Sequence, residues 1–234
     1  PWKKKSSNKY SRGRVLILGG QKHMIGATIL AAEACLRVGV GSVKIICTKE
    51  TIGVLSIKFP SSLKVEINNI SYLKTFLKKE RKTTSVALVG PGAGNSSKTM
   101  KFTEEILKFI KYVILDADAL NSFQHRTNKL IKYLDKNKLI TPHKKEFHRL
   151  FPSIKSSLKN ELKVLKFVNL CKSNILLKGN TTFIGSNKRI IKNTHSSSEL
   201  AVIGSGDVLA GIIASLVGDN KMSITEAAAA AAWL

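Results

Sequence analysis

Val15-Leu16-Ile17-Leu18-Gly19-Gly20, then Gly26 to Val38, then Val43-Lys44-Ile45-Ile46-Cys47 is the stretch whose reading decides the fold. Four consecutive apolar residues closed by a glycine pair predict a short strand buried on both faces. From Gly26 to Val38 the small and apolar residues Ala27, Leu30, Ala31, Ala34, Cys35 and Val38 recur at helical spacing. Gly39-Val40-Gly41 turns the chain, and residues 43–47 predict a second strand. Strand, helix and strand in this order form a β-α-β unit.

Working outward, the pattern repeats. The polar segment from Thr48 to Lys82 carries a helix near Tyr72 to Lys79, and Val86-Ala87-Leu88-Val89 is a strand closed by Gly90-Pro91-Gly92-Ala93-Gly94. A helix from Lys98 to Ile110 leads to the strand Val113-Ile114-Leu115, which runs into Asp116-Ala117-Asp118-Ala119-Leu120-Asn121. Leu139-Ile140 ends in Thr141-Pro142-His143, with helices expected around Lys145 to Leu150 and Leu158 to Cys171. Asn174-Ile175-Leu176-Leu177 ends in Lys178-Gly179, and Thr181 to Ile184 with Lys188 to Ile191 predict a hairpin. Apolar strands alternating with helices predict an α/β fold with a mostly parallel sheet covered on both faces. Ligands gather beyond the carboxyl ends of such strands. Five of the polar or glycine-rich turns fall at that edge, so the edge reads as a site.

Gly204-Ser205-Gly206-Asp207 opens the last long helical pattern, with Val208, Leu209, Ile212, Ile213, Leu216 and Val217 expected on its buried face and Gly218 as its stop. A helix entered through glycine points unpaired N–H groups and a positive dipole end outward, which suits a phosphate. Asp207 reads either as a proton acceptor beside that anion or as an ordinary helix-start residue.

The 39 basic and 15 acidic residues give a net charge of +24, with hydrophobic content at 43%. Of the basic residues 32 are lysines and seven are arginines, spread along the chain without aromatic interleaving. Specific nucleic-acid recognition leans on arginine and on stacked aromatics, so the charge predicts nonspecific attraction at low salt only. Cys35, Cys47 and Cys171 lack metal or disulfide spacing and read as core residues of a protein from a reducing compartment, expected to be cytoplasmic. No apolar run has a membrane span's length, and residues 1–12 read as a basic lead-in without a signal peptide's apolar core. A start at Pro1 and an end at Trp233-Leu234 inside an alanine-rich helical pattern lead us to expect a domain over 13–234 cut from a longer product.

Gly26-Ala27 leading into Leu30-Ala31-Ala32 and Leu36 to Gly41, Val89 to Gly94, Leu115 to Asn121, Ile140 to Glu146, Leu177-Lys178-Gly179 and Gly204 to Asp207 stand in an order and spacing that resembles the ADP-dependent NAD(P)H-hydrate dehydratases. Six such motifs, over roughly residues 12 to 230, are specific together. The resemblance implies a ribokinase-like three-layer α/β/α sandwich that restores hydrated NADH or NADPH, the S epimer, by phosphorylating the ring hydroxyl and eliminating phosphate. It implies ADP or ATP with Mg²⁺ as cofactors, and it admits a homo-oligomer such as a tetramer and an N-terminal epimerase domain. Residue by residue, it gives Asp207 as base and hydrate contact, and Ala27, Gly94 and His143 as further hydrate contacts. Lys178, Gly179, Asn180, Thr181, Thr182 and Gly206 match nucleotide-binding positions.

The chemistry of these residues agrees with such roles. Gly92 and Gly94 allow close backbone approach, and Lys178 neutralises phosphate charge. Asp116 and Asp118, two apart on an expected extended segment, read either as Mg²⁺ holders through water or as hydrogen-bonding groups that shape the turn. His143 reads equally as a loop histidine capping a backbone group, and Glu146 as a first-turn helix carboxylate. The family's usual pattern has glycines where this chain has Glu199 and Ile203, and a β-branched residue resists positive φ. Two other readings stay open: a ribokinase-like kinase of a vitamin precursor, marked by a stable phosphorylated product, and a non-catalytic basic relative with nonspecific nucleic-acid affinity.

Overall fold

The computed structural model describes residues 12–195, 198–219 and 222–234. Residues 1–11 of the expected lead-in, and Ser197 ahead of the Gly-Ser-Gly-Asp loop, lie outside the described residues. In chain order the elements are β1 (Arg14–Leu18), α1 (Ile25–Val38), β2 (Ser42–Cys47), α2 (Lys49–Lys58), β3 (Leu63–Glu66), α3 (Ile70–Glu80), β4 (Val86–Val89), α4 (Ser97–Phe109) and β5 (Val113–Leu115). They continue as α5 (Ala117–Asn121), α6 (Thr127–Ile131), β6 (Lys138–Ile140), α7 (Lys144–Leu150), α8 (Asn160–Cys171), β7 (Asn174–Leu177), β8 (Thr182–Gly185), β9 (Ile190–Asn193), α9 (Ser205–Gly218) and α10 (Ile224–Trp233).

Among the described residues the strands form one sheet in the order β3-β2-β1-β4-β5-β6-β7-β8-β9. The pairs from β3 through β7 are parallel, and β7-β8 and β8-β9 are antiparallel. Alternate residues of β1 serve opposite faces: Leu16 and Leu18 pack with α3, α4, α7 and α8, whereas Val15 and Ile17 pack with α1, α9 and α10. This is the three-layer α/β/α sandwich expected from the sequence. Among the described residues no helix is long and apolar enough to cross a membrane.

Three local expectations change. The segment 48–82 holds a helix and an edge strand besides α3. Neither imposes a hydrophobic period on the sequence, because α2 buries only Thr51 and Leu55, and β3 lies at the sheet edge with no fully buried residue. Residues 117–121 are helical, with Asp116 as the extended residue before the first turn. Asp116 and Asp118 therefore do not share one face of an extended segment.

The buried face of α9 also differs. Val208, Leu209 and Ile212 are only partly buried, while Ala210, Gly211, Ala214, Ser215 and Gly218 are buried with Ile213, Leu216 and Val217. Small residues let α1 and α9 approach backbone to backbone. A Cβ at Gly211 would lie 2.3 Å from the Ala31 carbonyl oxygen and 2.9 Å from Ala34 Cβ. The Cys35 thiol donates to Gly211 O at 3.2 Å across the same seam, and burial pushes its pKa up to about 12. Cys35, Cys47 and Cys171 are all buried and free, as the sequence suggested. Gly211→Ala is expected to force the helices apart at a cost of about 1–3 kcal/mol. Thermal unfolding should show a loss of roughly 2–4 °C per kcal/mol for a chain of this size.

Candidate active site

Strand order reverses between β1 and β4, the place where parallel sheets open a crevice beyond their carboxyl ends. The loops after both strands are built from glycines at positive φ: Gly20 at +74°, Gly90 at +127°, Gly92 at +64° and Gly94 at +76°. A Cβ at Gly90 would sit 1.8 Å from Asp116 O, so no side chain fits between these neighbouring strand ends. Thr28 on α1 ties the two loops together, accepting from Gly20 N at 2.6 Å and donating to Pro91 O at 2.7 Å. Ala27, half-buried, precedes it in the same turn of α1.

Further along the edge, Lys178 leaves β7 in a parallel bridge with His143, and its amide donates to Pro142 O at 2.9 Å. Its ammonium donates to Asp116 Oδ1 at 2.8 Å, and Thr141 Oγ1 donates to the same oxygen at 2.7 Å. Burial works against the charge on Lys178. Asp116, Glu146 and Asp207 together outweigh that penalty and leave its pKa raised.

The N-terminus of α9 closes the site. Gly204 turns the chain into the helix at φ +94°. Ile203 needs no positive φ, because Gly204 carries the left-handed turn, and the isoleucine side chain is fully exposed. At Gly206 an added Cβ would stand 3.3 Å from Lys178 Nζ and 4.0 Å from Asp116 Oδ2, so this first-turn backbone lies against the ion pair. Burial, reinforced by Asp116 and Asp118 and opposed by Lys178, raises the Asp207 pKa to about 6. Its carboxylate is thus ionised at neutral pH and basic enough to take a proton.

His143 and Glu146 resolve as a capping box. His143 Nδ1 accepts from the amides of Lys145 and Glu146 at 3.1 and 3.3 Å, and Glu146 Oε2 accepts from His143 N at 2.9 Å. Nδ1 is the acceptor, so the ring proton sits on Nε2. Burial lowers the His143 pKa against the pull of Glu146 and keeps the ring neutral. The capping reading of both residues is correct, and the cap leaves half of the imidazole exposed beside Lys178.

The run from Lys178 to Thr182 divides. Lys178 faces Asp116 and Gly206, while Asn180 and Thr181 line an open pocket of about 500 Å³ with Lys144, Lys159, Lys192 and Phe183. Thr182 starts β8 and donates to Gly179 O at 3.3 Å. Asp118 Oδ2 accepts from Gly94 N at 2.8 Å, away from Asp116. Ala117, at φ +45°, separates the two carboxylates. Among the described residues no group of three or more His, Cys, Asp or Glu is placed to hold a metal. The Lys178–Asp116–Thr141 cluster and the Asp118–Gly94 bond are what sequence reasoning missed.

The family model described as NAD(P)H-hydrate dehydratase matches residues 15–234. The chain belongs to the NAD(P)H-hydrate dehydratase family. An ADP-dependent (S)-NAD(P)H-hydrate dehydratase of Neisseria meningitidis serogroup B is 32% identical over 236 residues, 97% of this chain and 76% of that relative. The bifunctional NAD(P)H-hydrate repair enzyme Nnr of Dictyoglomus turgidum is 29% identical over 223 residues, 90% of this chain. The chain spans about half the length of such bifunctional relatives, 42% in that case. A ribokinase-like superfamily protein of Enterococcus faecalis V583 matches in structure with a TM-score of 0.86 and 25% identity, over 99% of this chain and 80% of that one. The fold expected from the resemblance, ribokinase-like α/β/α, is therefore the fold of this NAD(P)H-hydrate dehydratase family member.

Proposed function

We propose that residues 13–234 dehydrate (S)-NADHX and (S)-NADPHX at the expense of ADP. The observation that carries this reading is the convergence of Asp207 with the Lys178–Asp116 pair at the open first turn of α9. Asp207 takes the proton of the ring hydroxyl as its oxygen attacks the terminal phosphorus of ADP and AMP leaves. Lys178 and the first-turn amides of α9 hold the transferred phosphoryl group, where negative charge gathers. The ring C–O bond of the phosphate ester then breaks, phosphate departs with the electron pair, and loss of the adjacent ring C–H proton restores the dihydronicotinamide double bond. The sum is hydrate plus ADP giving NAD(P)H, AMP, phosphate and a proton.

Gly179, Asn180, Thr181 and Thr182 flank the nucleotide on the far side of Lys178, with Gly206 under its phosphates. Ala27, Gly94 and the Nε2–H of His143 face the hydrated dinucleotide. Mg²⁺ suits this site as an ion carried by phosphate and water, because Mg²⁺ keeps several waters and takes only one or two carboxylates. Asp116 Oδ2 would hold it, since Oδ1 is occupied by Lys178 and Thr141. When bound, the ion neutralises charge on the transferring phosphoryl group.

The purified chain, incubated with (S)-NADHX, ADP and Mg²⁺, is expected to regenerate NADH absorbance. The rate should fall below about pH 6 as Asp207 is protonated. No recovery above the Asp207→Asn background would sink the proposal, and accumulation of a stable phosphorylated product would favour a kinase instead.

A further inference from the structure

The proposed chemistry leaves one buried carboxylate of the site without a task. Asp118 is 7% exposed, and the one described hydrogen bond of its carboxylate reaches from the start of α5 to the Gly94 amide in the loop after β4, at 2.8 Å. The loop it reaches, residues 90–94, is otherwise held from within, from β1 and the chain that follows it, or from α1 and α4. Gly90 N donates to Leu18 O at 3.2 Å, Gln21 N donates to Gly92 O at 2.8 Å, and Ala93 N donates to Gly90 O at 3.0 Å. Thr28 holds Pro91 O at 2.7 Å, and Thr99 Oγ1 donates to Ala93 O at 3.1 Å and also to Gly94 O. Among the described hydrogen bonds of this loop only that of the Gly94 amide runs to α5, on the side where Asp116, Lys178 and Asp207 stand.

That tie has a local structural origin. Ala117, in the left-handed region at φ +45°, redirects the chain between Asp116 and Asp118, at a cost of about 1–2 kcal/mol for a residue with a Cβ. As a result Asp116 turns toward Lys178 and Asp118 toward the loop. Gly94 itself sits at φ +76°, a conformation an unanchored glycine leaves readily. A buried carboxylate aimed at its amide selects this one conformation.

We propose that Asp118 is a positioning residue: it acts as a hydrogen-bond acceptor that holds Gly94 in the shape that presents the hydrated dinucleotide to Asp207, and not as a metal ligand. The inference rests on the reading of Gly94 as a substrate contact. An amide oxygen accepts the same bond, so Asp118→Asn preserves the device and Asp118→Ala removes it. In Asp118→Ala the KM for (S)-NADHX should rise about tenfold, the effect of one lost hydrogen bond. The KM for ADP should stay within about twofold, and Asp118→Asn should stay near wild type for both.

Hydrogen exchange of the Gly94 amide in the full chain supplies a readout independent of turnover. It should be about tenfold faster in Asp118→Ala than in wild type or Asp118→Asn. If the alanine variant does not fold, Asp118→Ser, whose hydroxyl is too short to reach the amide, replaces it in both measurements. An unchanged KM for the hydrate, equal losses toward hydrate and ADP, or an asparagine variant as impaired as alanine would each overturn the proposal. Should the wild-type chain show no dehydratase activity, the functional reading fails. The exchange rates then still decide whether Asp118 holds Gly94.

Discussion

Asp207→Asn is expected to lower kcat by about a thousandfold, within the range a positioned general base supplies, while leaving the fold intact or slightly more stable. The two effects share one cause. Burial and the neighbouring carboxylates Asp116 and Asp118 raise the Asp207 pKa from 3.8 to about 6, so the ionised form needed for proton abstraction is disfavoured by folding. A carboxylate whose pKa rises on folding contributes stability below its unfolded pKa, and that contribution is lost as pH climbs through about 6. Asparagine keeps the shape without the charge. At pH 8 its melting temperature should equal or exceed that of wild type, whereas at pH 4 the difference should narrow. Steady-state rates and thermal unfolding at both pH values check this. A variant that retained wild-type kcat would remove Asp207 from the chemistry.

Lys178→Met is expected to lose both activity and stability. Asp116 has a side chain only 2% exposed and depends on Lys178 Nζ at 2.8 Å for its counter-charge. Removing one partner of such a pair leaves a buried charge uncompensated, typically at about 3–5 kcal/mol. Lys178, with a side chain 21% exposed, retains some solvent, which places the expected loss at the lower end. The phosphoryl group loses its cation at the same time, worth about 10²–10³ in kcat by analogy with a lost oxyanion donor. Asp207 loses Lys178, which lowers its pKa, so the acid limb of any residual pH profile should move above about 6. The double variant Lys178→Met with Asp116→Leu separates stability from activity: it should regain most of the melting temperature and, with the phosphate cation and Asp116 both gone, none of the activity. Recovered activity in the double variant would mean that the cation serves Asp116 alone.

The β-α-β beginning, the strand-end glycines and the Gly-Ser-Gly-Asp helix start were legible because each rests on local rules. Four apolar residues before Gly19-Gly20 or Gly90 read as a buried strand by their length, their β-branched members and the glycines that close them. Gly204 before a helix must supply the left-handed turn, whatever Ile203 beside it does. The parallel order of these elements then placed the motifs on one edge. Illegible were α2 and β3, whose exposed edge positions carry too few buried residues to impose a period. Of the larger side chains that hydrophobicity marks on α9, Ile213, Leu216 and Val217 are buried and Leu209 and Ile212 pack against the core, but hydrophobicity does not mark Gly211 and Ala214, the small residues that the contact with α1 selects.

What the sequence alone determined is therefore the layer architecture and the strand-end edge on which Gly94, Lys178 and Asp207 lie. Only the tertiary structure decided who holds whom. Lys178 meets Asp116 across 62 residues, Thr141 meets it across 25, and Asp118 meets Gly94 across 24. These partners follow β4, β5, β6 and β7, whose ends the sheet order sets side by side, and no local pattern encodes that adjacency. The same geometry separates two carboxylates only two residues apart, because one left-handed residue, Ala117, sends them to different tasks.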